Sequence, residues 1–62
     1  MQPEDCKIGT SVIYRGIIIH NISGFIIKSP YYPEYDKINL YVRIMTVCGN
    51  DIAVRIKRLE KL

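Results

Sequence analysis

Sixty-two residues allow one small domain over 1–62, and at 48% hydrophobic and 24% charged the chain is too apolar for a disordered tail. Nine Lys and Arg against six Asp and Glu leave a formal charge of +3, a modest basic excess. The length excludes a dinucleotide fold, a β/α barrel and a deep multi-residue catalytic cleft. Twelve Ile and four Val, against three Leu and one Ala, lean the chain towards strands.

In chain order, residues 1–7 are polar and acidic and read as a frayed lead-in. Thr10 to Arg15 reads as a strand with Val12 and Tyr14 on one face, ended by Gly16. Ile17, Ile18, Ile19 and Ile22 either extend a flanking strand or fold as a loop over an open barrel end. Gly24 to Lys28 is the next strand, closed by Ser29 and Pro30 because proline does not continue a paired ladder. Tyr31 to Lys37 carries the turn chemistry of a loop.

Ile38 to Val47 alternates most clearly, with Ile38, Leu40, Val42 and Ile44 on one face and Asn39, Tyr41, Arg43 and Met45 on the other. Ile52 to Lys57 repeats the pattern with Ile52, Val54 and Ile56, and the turn signal from Cys48 to Asp51 joins the two as a hairpin. A two-residue Gly49-Asn50 turn would pair Ile44 with Arg55 and mix the faces. A three-residue loop over 48–50, or a bulged equivalent, pairs Ile44 with Val54 and Val42 with Ile56, with Asn50 as the left-handed residue. Ile56 to Leu59 is spaced for one turn of 3-10 helix, and Leu59 to Leu62 for a short closing strand.

Two cysteines and one histidine are too few for a tetrahedral zinc site and form no disulfide framework. No metal or cofactor is expected, and Cys6 and Cys48 are expected to be reduced. There is no signal-peptide pattern, and the longest apolar stretch, Gly16 to Ile27, is twelve residues interrupted by His20, Asn21 and Ser23, too short to span a bilayer. The expected localisation is cytoplasmic, without a membrane partner.

Five short strands with a single helical turn before the last resemble an SH3-like small barrel, so the expected fold class is all-β. The run from Gly9 through Val12 and Tyr14 to Gly16, followed by Gly24-Phe25-Ile26-Ile27, resembles the KOW pattern of glycine, strand, loop and returning strand. The resemblance implies binding of RNA, or of ribosomal or transcription partners, and for SH3 proper of proline-rich peptides.

The residues themselves point the same way. Ser11, Ser23 and Ser29 lack a nucleophile-elbow context, the lone His20 sits among isoleucines, and the carboxylates are scattered, so no enzyme is expected. In the three-residue register Arg43 faces Arg55 and Tyr41 faces Lys57; a shift by two faces Arg43 with Lys57 instead. Like charges opposed on a sheet are relieved by an anion, and phosphate suits arginine geometry. Arg58 extends the basic segment, and Tyr41 offers a ring for a base to stack on. The leading expectation is therefore a nucleic-acid surface of Tyr41, Arg43, Arg55, Lys57 and Arg58, weighed against a merely solvated strand face. The alternative is a protein-interaction module or accessory subunit using Tyr31, Tyr32 and Tyr35, bracketed by prolines, with an exposed strand edge. The competing role for those rings is to cap a small core. An isoleucine-rich stretch left exposed would also favour self-association.

Overall fold

Alternating aliphatics sort onto one side of an antiparallel sheet in the computed structural model, which describes residues 1–18 and 21–62. The strands are β1 (Ser11–Tyr14), β2 (Ile22–Tyr31), β3 (Tyr41–Thr46), β4 (Asp51–Arg55) and β5 (Leu59–Lys61). Single 3-10 turns, η1 (Pro3–Asp5) and η2 (Ile56–Arg58), precede β1 and β5. All five strands are antiparallel in the order β4-β3-β2-β1-β5, an arrangement compatible with a small β-barrel. Among the described residues barrel closure is not seen: β4 and β5 are the sheet's two edges. Among the described residues no helix is long and apolar enough to cross a membrane.

Of the predicted inward positions, Val12, Val42, Ile44, Val54 and Ile56 are in the core, whereas Ile38 is exposed and Cys6, Ile26 and the outward-read Tyr41 join it. Val12, Ile26, Val42, Ile44 and Leu59 are fully enclosed, with Cys6, Val54 and Ile56 around them and Tyr14, Leu40 and Ile52 packed against the cluster. Each of those fully enclosed aliphatic side chains contributes roughly 1.5–3 kcal/mol, so a chain this small depends on nearly all of them.

Several boundaries differ from expectation. β2 runs on through Ser29 and Pro30, because beyond Ile26 it pairs with β3 alone and its register slips twice, between Ile26 and Lys28 and again before Tyr31. Pro30 thus sits on an irregular one-sided stretch where no ladder hydrogen bond is asked of its nitrogen. Ile38 lies outside β3 and is exposed. Asp36 takes over the chain there, its carboxylate accepting from the backbone N–H groups of Ile38 and Asn39 at 3.1 Å each. The lead-in is docked instead of frayed: Cys6 is buried, and the Met1 amino group donates to the carbonyls of Ile56 and Leu59 at 3.0 and 2.9 Å. Ile17 and Ile18 form an exposed bend, Ile22 opens β2, and Ile19 and His20 lie outside the described residues.

The hairpin has a three-residue loop, but one residue earlier than expected. Thr46 closes on Asn50 by a 2.8 Å hydrogen bond, leaving Val47, Cys48 and Gly49 as the loop. Gly49, at φ +88°, supplies the left-handed residue, which glycine adopts without the Cβ clash that Asn50 would meet. The register becomes Ile44 opposite Ile52 and Val42 opposite Val54. A slip of two preserves the faces, so the core pattern holds while every cross-strand partner changes.

Candidate nucleic-acid interface

The register decides the electrostatics of the hairpin's outer face. Arg43 stands opposite Ala53, not Arg55 or Lys57, and Tyr41 stands opposite Arg55. Lys57 has left the ladder for η2. The expected like-charge pair across the hairpin is therefore absent, and each arginine has found its own partner. Arg43 Nε donates to Asp51 Oδ1 at 2.7 Å, and its pKa is raised by hydrogen bonding to Asp51 and Tyr31. On its other side Arg43 does face a cation, Lys28 of β2. The Lys28 ammonium lies over the Tyr31 ring, 4.5 Å from its centroid.

Tyr41 is a strut, not a platform. Only 8% of it is exposed. Its hydroxyl donates to Asp36 Oδ2 at 3.1 Å and accepts from Arg55 Nε at 3.0 Å. Tyr35 meets its ring edge-on at 5.7 Å between centroids. Asp36 also accepts from the Asn39 side-chain amide at 3.0 Å and lies 3.6 Å from the Arg55 guanidinium. Its hydrogen bonds from Asn39, with those from Ile38 and Tyr41, lower its pKa from 3.8 to about 2. The hydrogen bond with Tyr41, followed by the charge of that neighbourhood, raises the pKa of Arg55. A base has no open face of Tyr41 to stack on.

A different cluster forms around η2. The register that pairs Tyr14 with Leu59 continues one residue further, where the Arg15 N–H donates to the Arg58 carbonyl at 2.9 Å. Arg15 and Arg58 are thus backbone-bonded neighbours of like charge just beyond the β1–β5 ladder, with Lys57 exposed beside them. Arg15 is compensated by Glu60, Nε to Oε2 at 2.9 Å. Neither Lys57 nor Arg58 forms an ion pair among the described residues. A shallow cleft of about 300 Å³ runs from Arg55 and Arg58 to Tyr14, Gly16, Ile17 and Ile18. A second, of about 190 Å³, lies between Arg15, Lys57, Arg58 and Glu60.

Of the five residues expected to form one surface, Arg55, Lys57 and Arg58 are brought together, Arg43 is set apart on the sheet face, and Tyr41 is enclosed. Arg15 and the bend after it were missed. Both partner strands are visible in the sequence, but their pairing is not, and only that pairing puts Arg15 beside Arg58. In the tyrosine loop, Tyr31 pairs with Tyr41 at the end of the β2–β3 ladder, while Tyr32 and Tyr35 are 53% and 75% exposed. Cys6 and Cys48 are both free thiols; burial pushes the Cys6 thiol up, leaving it the less reactive form.

No protein-family model matches the chain, and no curated protein and no solved structure matches it.

Proposed function

We propose that the chain is a small non-enzymatic binding module of the SH3-like kind whose η2 end takes the phosphate backbone of a nucleic acid. The strand order and the 3-10 turn before β5 support the SH3-like reading. The KOW-like part of the reading rests on the sequence, with Gly9 ahead of β1 and Gly24 within β2 in its favour. The observation that carries the functional reading is the Arg15–Arg58 opposition with Lys57 beside it and Glu60 as the one carboxylate in that cleft. Opposed cations are mildly destabilising in a sheet, and a bound phosphate relieves them. Ile17 and Ile18, the latter 92% exposed, add an apolar wall against which a sugar or base could lie.

The test is binding of labelled single- and double-stranded DNA and RNA across a salt series. Affinity should fall steeply with salt, and Lys57→Gln with Arg58→Gln should flatten the log–log slope on a duplex by about 2 while weakening binding on the order of tenfold at low salt. Arg43→Gln, already neutralised by Asp51, should leave the slope unchanged. Absent or salt-independent binding retires the reading.

A second reading has its own observation. Tyr32 and Tyr35 stay exposed on a loop that Asp36 pins in place, a rigid aromatic surface of the kind protein interfaces favour. A protein partner held there would survive loss of Lys57 and Arg58 but be lost with Tyr32→Ser and Tyr35→Ser.

A further inference from the structure

We infer that a second copy of this chain adds antiparallel to the free edge of β4, in a two-fold register centred on Ala53. The argument starts from which backbone groups β4 turns outward. Thr46 donates to Asn50 and Ile56 donates to Leu40, at 2.8 and 3.1 Å, and the residues opposite each other between them are 44 with 52 and 42 with 54. Hydrogen-bonded pairs alternate along an antiparallel ladder, so Ile52, Val54 and Ile56 spend their backbone groups on β3. The N–H and C=O groups of Asp51, Ala53 and Arg55 therefore point away from the sheet. Among the described residues no strand lies beyond β4 to receive them.

Charge then selects the occupant and the register. The outward groups belong to an acid, a small apolar residue and a base, in the order Asp51, Ala53, Arg55, which is self-complementary when reversed. Centred on Ala53, a second β4 sets Asp51 opposite Arg55 of its twin and Arg55 opposite Asp51, with every outward N–H meeting an outward carbonyl. Centring on Asp51 or on Arg55 opposes like charges, and centring on Ile52 or Val54 leaves a charge facing Ala53. Alanine at the centre also lets the twin side chains pass without a clash. On the other face half-buried Ile52 comes opposite Val54, so the two cores meet across the seam. Arg43 and Asp36, already bound to Asp51 and Arg55, extend each cross-pair into a row of alternating charge. Such an isologous contact closes on itself, which keeps an exposed edge from growing into a fibre.

The experiment is sedimentation equilibrium of the full chain from micromolar to millimolar concentration, on the wild type and on charge variants checked for native circular dichroism. The wild type should shift from monomer to dimer. Asp51→Arg alone and Arg55→Asp alone should each be monomeric, because each opposes like charges with itself. Mixed together, the two variants should form a heterodimer, since both cross-pairs become attractive again. Ala53→Pro, which removes only an outward N–H, should abolish dimerisation without loss of fold and serves if a charge variant fails to fold. A wild type that stays monomeric throughout overturns the inference. So does a dimer indifferent to Ala53→Pro, which would locate association elsewhere, for instance on the groove lined by Phe25, Met45, Val47 and Leu62.

Discussion

Arg55 and Arg58 are three residues apart and line one cleft, yet they are held in opposite ways. Arg55 is held from the hairpin side by the Tyr41 hydroxyl and by Asp36, as Arg43 is held by Asp51. Arg58 faces another arginine across the end of the β1–β5 ladder and finds no carboxylate among the described residues. Counting cations would rank the two regions alike. Their partners separate them: on the hairpin face both arginines have carboxylates and Lys28 lies over the Tyr31 ring, while the η2 end keeps Lys57 and Arg58 without an ion pair among the described residues. An excess of +3 is spread unevenly, and its position is more informative than its size.

The change that breaks the comparison outright is Gly24→Ala. The two regions hang on either side of the β2–β3 seam, and at Gly24 the backbones approach so closely that a Cβ would overlap the Met45 carbonyl oxygen. The neighbour in the way is main chain, which cannot swing aside. The substitution should destabilise the protein by about 1–3 kcal/mol or more, seen as a lower urea midpoint. An unchanged midpoint would mean that the seam is looser than the contact implies.

A smaller and more selective effect is expected from Tyr41→Phe. The ring stays, so its packing against Tyr35 survives, but the hydroxyl that joins Asp36 to Arg55 is lost. Losing the hydroxyl's bonds to charged partners should lower stability by about 1–3 kcal/mol. Nucleic-acid affinity should not move, since the η2 cations keep their positions. A fall in affinity with unchanged stability would return Tyr41 to the binding surface and erase the distinction drawn here.

The sequence foretold the layers better than the partners. Alternation named Val12, Val42, Ile44 and Val54 as inward, and the spacing of Ile56 and Leu59 named the 3-10 turn, because side-chain period is a local property. The faces survived even where the hairpin register slipped by two, since parity alone sets them. Charge pairing did not survive it: Arg43 opposite Arg55 depended on the identity of the turn residue, and Gly49 rather than Asn50 took the left-handed position. The opposition of Arg15 to Arg58 depends on two strands more than forty residues apart finding one register, which no local pattern encodes. Tyr41 was misread for a related reason. An outward position on a strand predicts exposure only until a loop folds over it, and the Asp36 loop does so.

That loop also gives the mildest test, by pH. Asp36 titrates near its ordinary 3.8 when the chain is unfolded and at about 2 in the fold, mainly because the Asn39 side chain and backbone donate to the ionised carboxylate. Between those values the unfolded chain binds more protons at this position than the folded one, so stability rises with pH. The contribution is complete above the unfolded value and is lost as pH falls through about 4 towards about 2. Urea midpoints measured down that range should fall for the wild type. Asp36→Asn keeps a carbonyl oxygen for the Ile38 and Asn39 N–H groups but cannot titrate, so its curve should be flatter over the same range, starting from a lower value at neutral pH. Parallel curves would show that the carboxylate's charge does not hold the loop. The internal neutralisation of the hairpin face would then rest on Arg43 and Asp51 alone.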